Sequence, residues 1–514
     1  MQTTTSQFDS RVNAILRPIS WQLKISFNKA FDSDVTFFTL DQSLLDGPDL
    51  LTTLDNDVIQ EWDKYAYQDF STRVIGIEVS REEVEPYSVV QAMADITLDN
   101  HDGYFTPNSD SPISSYILPR RPARIMLGFG GSVLPQFIGL TEQMPELDKN
   151  AGTAKFHLTD FLSFLFDRKI DDSTMLQNKS TGEILTVLFG LVGVLPAQLD
   201  FTATSFNRIP FFYVEKGTVL GTVVRELMEA EQGRLYMNEL GTITFQNRQD
   251  FSTIPVMFFD KSNTIDYTTS GEDDIINFVE LTSNVYTEQI EQSIWQSSEV
   301  TLVKAGSTAV VWATLQDPAT LITTPVYSDV KIGSSHFITT EDVNGTIPNA
   351  SITISDIDKF AKSAKITFSN AGSSDAYVYA IDLWGTPVKV SDTILVEDLD
   401  QTSIDQFDEK RYVLETKYIQ KRSNAQSKAA IIIDDYKDIG SILEVQVKGN
   451  MALQIGDIVT VGLDSYTGNY AVKKIAQQMV DGGYRQKLTL KEREARLYFI
   501  LNQSLLDGTE VLSP

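Results

Sequence analysis

Three histidines, His101, His157 and His336, are the only imidazoles available for metal or acid–base chemistry, and they stand far apart without an HExxH-type spacing. Cysteine is absent, which removes thiolate nucleophiles, thiolate metal sites and disulfides together. No GxSxG elbow, GxxxxGK[ST] phosphate loop or GxGxxG strand-to-helix turn occurs. Carboxylates are plentiful: 70 acidic residues face 42 basic ones. A glycosidase-type pair would be indistinguishable in that background, and Glu82-Glu83-Glu85, Glu272-Asp273-Asp274 and Asp434-Asp435 read as solvated faces or loops. No catalytic, cofactor-binding or metal-ligating residue is assigned, and no cofactor is expected.

The segment Asp99 to Gly103 (DNHDG) superficially resembles a calcium loop. With Gly103 at the invariant glycine, Leu98 falls on the first ligand position and Ser109 on the twelfth, which excludes an EF-hand but leaves a looser calcium site open. The segment reads instead as a turn, because Asp and Asn bond their own backbone and Gly supplies positive φ, with Tyr104, Phe105 and Pro107 packing it down. Arg120, Arg121 and Arg124 form the densest basic cluster and are expected to answer local carboxylates, or else an acidic neighbouring subunit.

A chain of 514 residues implies several domains, and 42% hydrophobic with 22% charged residues implies that most of it folds around a core. A net charge of −28 disfavours stable binding to phosphate backbones. The first 20 residues lack the pattern of a leader, and the longest apolar stretch, Ile184 to Leu195, is too short to span a bilayer. The expectation is a protein folded in a cytoplasm.

Alternating runs at Ser20–Phe27, Thr72–Ser80, Ala92–Leu98, Ala123–Phe129 and Ala154–Leu158 predict antiparallel strands forming a barrel or sandwich over 1–165. An α+β connecting domain follows over 166–290. Ser180 and Glu183 have capping-box spacing at the start of a helix running to Val194. A second helix is expected over Thr218–Glu231, closed by Gly233, followed by a hairpin turning at Leu240-Gly241. Residues 291–395 shift to Ser, Thr, Val and Ala in strand-like runs, the pattern of an inserted β-sandwich. The last region, 396–514, begins with a helix over Ser423–Gly440 that places Ala425, Ala429, Ile432, Ile433 and Tyr436 on one face, and then returns to strands. The fold class is mainly β, multidomain, with an α+β middle.

One motif is repeated: FTLDQSLLDGPDLL from Phe38 and FILNQSLLDGTEVL from Phe499 share QSLLDG. Two copies make no solenoid. They read either as turns of similar chemistry or as two contacts for one partner surface.

The string ADITLDNHDGYFTPNSDSPI (Ala94–Ile113) resembles the strand, acidic turn and Pro-rich exit of minor tail and tail-hub proteins of long-tailed bacteriophages. AKITFSNAGSSDAYVYAIDLWGTPV (Ala364–Val388) is similar to the end of their inserted sandwich, and Ser403–Tyr436 to the segment after it. LQIGDIVTVGL (Leu453–Leu463) resembles the Gly-Asp hairpin of their closing barrel, and Arg225–Arg248 their inter-barrel helix and hairpin. These blocks cover most of residues 70 to 495, whereas the first 60 match less clearly.

The resemblance implies two tail-tube-like β-barrels per subunit, so that a homotrimer presents six similar modules around a channel. It further implies a hub at the virion tail's distal end, assembled in the host cytoplasm. The partners would be a distal tail protein or sixfold tail-tube ring, the C-terminus of the tape measure protein, and tail fibre or receptor-binding proteins, with transient passage of DNA and no membrane insertion. Two other classes remain open from the residues: a tail-tip adhesin whose sandwich uses Trp295, Trp312 or Trp384, and a cell-wall or polysaccharide hydrolase. Tryptophans spaced through a sandwich are commonly core.

Overall fold

The computed structural model describes residues 1–12, 17–28, 65–83, 89–170, 175–201, 207–247, 251, 254–271, 275–316, 325, 332, 337–345, 351–438, 441–480 and 483–492. Both QSLLDG copies, His336, Glu85 and 272–274 lie outside the described residues.

Helix α1 (Ser6–Val12) precedes β1 (Ile19–Ile25), β2 (Gln68–Asp69), β3 (Val74–Glu83), β4 (Val90–Asp99), β5 (Pro122–Phe129), β6 (Ser132–Thr141), β7 (Glu146–Asp148) and β8 (Thr153–Thr159). Residues of β8 alternate strictly between half-buried and buried, as period-2 patterning requires. Ile77, Ile96, Leu98, Ile125, Phe156 and Leu158 face one core. The expected strands of this region are all present.

The middle comprises α2 (Phe161–Phe166), β9 (Leu176–Ser180), α3 (Thr181–Leu191), β10 (Leu199–Phe201), β11 (Arg208–Phe212), α4 (Leu220–Glu231), β12 (Arg234–Met237) and β13 (Ile243–Gln246). Both halves of the expected capping box form at α3: the Glu183 N–H donates to Ser180 Oγ, and the Ser180 N–H to Glu183 Oε2. Helix α4 ends differently from expectation, with Gln232, not Gly233, in the left-handed region (φ 59°). The Gly233 N–H still takes part in the expected stop, donating to Met228 O (3.3 Å), and the glycine also serves close packing, since a Cβ there would lie 2.7 Å from the Phe245 ring and 2.9 Å from Gln246 O. The β12–β13 hairpin turns at Gly241 (φ 87°).

Next come β14 (Pro255–Asp260), β15 (Thr264–Gly271) and β16 (Phe278–Glu288), then β17 (Gln292–Gln296), β18 (Thr301–Val303), β19 (Thr308–Thr314) and β20 (Ile338–Thr340). They are followed by β21 (Ile352–Lys359), β22 (Ser363–Asn370), β23 (Ala376–Tyr379), β24 (Asp382–Gly385) and β25 (Val388–Leu399). Strands β16 and β25 form a long antiparallel ladder through which the chain enters and leaves the inserted region. Within it, β18-β23-β20 and β19-β22-β21 are separate three-stranded sheets sharing a core that includes Val303, Ala313, Ile366, Phe368 and Val378. The run DAYVYAIDLWG is two strands, not one, because Ala380 adopts φ 52° between β23 and β24 and sends them to different sheets.

The remainder is α5 (Gln401–Phe407), β26 (Arg411–Glu415), α6 (Arg422–Tyr436), β27 (Ser441–Val447), β28 (Ile458–Leu463), β29 (Tyr466–Val480) and β30 (Gly483–Glu492). All five residues expected on the inner face of α6 are buried.

Two barrel-like modules result, but neither is a closed barrel among the described residues, which corrects the expectation of two barrels. The first follows the order β3-β4-β8-β6-β5-β1, and the second β14-β28-β29-β30-β27-β15. Strands β14 and β15 thus complete a module otherwise built from 441–492. Each path nearly returns on itself: the Phe70 N–H, just before β3, donates to Leu23 O of β1 (2.9 Å), and residues 261–263 link β14 to β15. The free edge that would close a ring is used elsewhere. Strand β29 pairs with β30 on one side, while its other side is split, Tyr466–Ala471 to β28 and Lys474–Val480 to β3. Pairing of β29 with β3 joins the two modules into a continuous 14-stranded sheet.

Candidate functional site

The residues singled out for chemistry are mostly used in local structure. At DNHDG the Phe105 N–H donates to Asn100 Oδ1 (2.7 Å), the Gly103 N–H to Asn100 O (3.0 Å), and Gly103 takes φ 70°. Asp102 receives both Arg73 terminal nitrogens (3.0 and 2.8 Å), and that guanidinium lies over the Tyr104 ring. His101 sits on Gly152 and bonds Asp99, while His157 Nδ1 meets Asp95 Oδ1 (2.7 Å) on the next strand. Among the described residues no group of His, Asp and Glu has the arrangement of a metal site. Arg120 and Arg124 lie over the rings of Phe164 and Tyr67, and Arg121 Nε donates to Tyr116 O (3.0 Å). Charge pattern alone gave no sign of these aromatic contacts.

A different cluster forms where the N-terminal module, the connecting domain and the C-terminal module meet. Along β3, Ile77 and Val79 point into the core, and strand alternation carries Arg81 and Glu83 to the same side. Arg81 contacts the Glu239 carboxylate, with side chains only 11% and 6% exposed. Glu83, itself only 6% exposed, lies 3.4 Å from Arg234 and 3.4 Å from Lys473. Glu83 therefore departs from the solvated face expected of Glu82-Glu83-Glu85. Glu82, on the opposite face, keeps to the expectation and pairs with Lys474 at 2.8 Å.

Further bonds extend the network. Gln454 Nε2 donates to Glu239 Oε2 (2.8 Å) and its N–H to Asp457 Oδ2 (2.8 Å), while the Met1 amine lies 2.5 Å from Asp457 Oδ1. Arg234 also donates to Gln246 Oε1 (2.8 Å) and lies 4.8 Å from the centre of the Phe251 ring. Gly456 (φ 81°) leaves the space for that guanidinium, since a Cβ there would be 2.0 Å from it. A cavity of ≈ 250 Å³ is lined by Arg81, Arg234, Tyr236, Glu239, Gln454 and Asp457.

Burial sets the electrostatics here. Desolvation lowers Arg81 to about 10, although Asp160 and Tyr236 act in the opposite sense. Asp160, wholly buried as the N-cap of α2, is raised by the same cause against bonds from Ser163 and Ala92. Buried charges whose partners come from different chain segments contribute little net stability while intact, but the loss of one partner strands the other. The chemistry of the cluster is accordingly positional: it defines how three segments fit. The parity of Arg81 and Glu83 with Ile77 and Val79 was the available sequence signal for β3, whereas nothing local marked Arg234, Glu239 or Asp457 as their neighbours.

No protein-family model and no curated protein matches the chain. Among solved structures, the fold is similar to the prophage MuSo2 43 kDa tail protein from Shewanella oneidensis (11% identity, TM-score 0.45, 84% of this chain and 97% of that one). It is also similar to the tail protein from Neisseria meningitidis MC58 (9% identity, TM-score 0.46, 83% and 93%). A third similarity is to prophage tail protein gp18 from Listeria monocytogenes EGD-e (10% identity, TM-score 0.42, 84% and 93%). All three are named as tail proteins.

Proposed function

We propose that this chain is a structural protein of a bacteriophage tail, the hub that ends the tail tube at its distal tip. The observation carrying this reading is the edge-to-edge union of two six-strand modules through β3 and β29. Three copies would present six comparable modules, the number needed for a threefold assembly to meet a sixfold ring. The tape measure protein's end and then DNA would pass along the axis, and a chain of net charge −28 would let phosphates slide without gripping them. The buried charge cluster would hold the two modules at a constant angle. On this reading the chain is an adaptor and not a catalyst, and it contacts a distal tail protein or tube ring and the fibre or receptor-binding proteins.

The test has two arms. Native mass measurement of the purified chain is expected to give three copies of 57.4 kDa. Antibody to the chain, imaged on particles by negative-stain electron microscopy, is expected to label only the far end of the tail. A monomer that stays monomeric with its ring partner, or label away from the tail tip, overturns the reading.

A further inference from the structure

In the inserted region, sheet β19-β22-β21 turns Ile366 and Phe368 inward to the core and, among the described residues, carries exposed side chains on its other face. Trp312 of β19 is 55% exposed on that face, and its ring stacks on Phe360, with centroids 6.1 Å apart and planes 16° from parallel. Val310, two residues earlier on the same face, is also exposed. Cross-strand register sets Trp312 beside Lys365, and Lys365 beside Asp358, while Val310 faces Thr367. Lys365 Nζ donates to Asp358 Oδ2 at 2.8 Å. An aromatic ledge thus borders a strip of hydroxyl, ammonium and carboxylate groups. The other two tryptophans of the region are occupied: Trp295 packs against the core, and Trp384 Nε1 donates to Asp382 Oδ2 (2.7 Å).

We propose that this face binds a neutral saccharide, one pyranose ring stacking on Trp312 while its hydroxyls bond along the Lys365–Asp358–Thr367 strip. The C–H face of a pyranose is apolar and flat enough for an aromatic ring, and its rim carries paired donors and acceptors. A protein partner fits less well, because protein interfaces deplete charge at their centre, where this face has an ion pair. Charge selects against acidic glycans and nucleic acids. The Lys365 ammonium is already matched by Asp358, and acidic residues outnumber basic ones 11 to 6 across 291–395. The inference does not depend on the hub assignment and can fail while that assignment stands.

The full chain is titrated with neutral gluco-, galacto-, manno-, rhamno- and N-acetylglucosamine oligosaccharides and with a sulfated oligosaccharide, read by tryptophan fluorescence and saturation-transfer NMR. At least one neutral sugar is expected to bind, with Trp312→Ala weakening it by about tenfold or more, and Trp312→Phe and Thr367→Ala by lesser factors. Unchanged far-UV circular dichroism confirms that the exposed substitution leaves the fold intact. The inference is overturned if no neutral sugar binds, if the sulfated sugar is preferred, or if Trp312→Ala binds like the parent chain. A change of native mass in Trp312→Ala would likewise overturn it, by making the face a contact between copies.

Discussion

Replacing Glu83 by Ala would leave Arg234 and Lys473 without the carboxylate that lies 3.4 Å from each. Breaking a buried ion pair from one side costs about 3–5 kcal/mol. The lower end applies here, because Arg234 keeps Gln246 and the Phe251 ring and Lys473 is already 24% exposed. A penalty of about 3 kcal/mol corresponds to roughly two orders of magnitude in an opening equilibrium. A chain of several modules need not unfold in one step, so a global midpoint is the wrong readout. Amide hydrogen exchange across the joint is the right one: Gly76–Glu82 of β3 and Lys474–Val480 of β29 should exchange faster, while β19 and β22 in the inserted region should not change. Adding Arg234→Met removes the stranded cation and should restore much of the protection. A change below about threefold, or effects of Glu83→Ala and Arg234→Met that simply add, would refute the reasoning.

Gly456→Ala should also loosen the joint, by about 2 kcal/mol or more, since it combines a left-handed backbone with a Cβ 2.0 Å from Arg234; exchange across β3 and β29 reads it, and protection equal to that of the parent chain counts against it. Ser180→Ala should cost about 1 kcal/mol at α3, seen as faster exchange of the helix's first turn. Bonds from Lys179 and then the Ser180 N–H pull the Glu183 carboxyl down to about 2, below its ordinary 4.5. That depressed value means the contribution of Glu183 is present above about pH 4.5 and fades as pH falls toward 2. An acid titration should find less pH sensitivity in α3 of Glu183→Gln. If the chain is the proposed threefold hub, paired Leu505→Asp and Leu506→Asp substitutions in the second QSLLDG copy should weaken assembly with a sixfold ring while leaving the chain's own native mass unchanged, and normal ring assembly would remove the two-contact reading of the repeat.

Local structure was legible wherever one short segment carried its own physical reason. The capping box at Ser180 and Glu183, the inner face of α6 and the DNHDG turn each depend on residues within a few positions of one another. Finer backbone detail was not legible: α4 stops where Gly233 was expected to close it, but Gln232 takes the left-handed place, and Ala380 at φ 52° splits an apparently continuous strand.

By itself the sequence determined a mainly β chain with an α+β middle, lacking cysteine and any sign of a histidine metal site, and it placed most strands and three helices through period and capping. Only the tertiary structure decided that β29 joins the two modules by pairing with β3, and that Glu83 is buried against Arg234 while Trp312 is exposed. The physical reason is range. Alternation assigns a side chain to one side of a strand, but which strand takes a free edge, and which charge fills a buried space, depends on segments hundreds of residues apart.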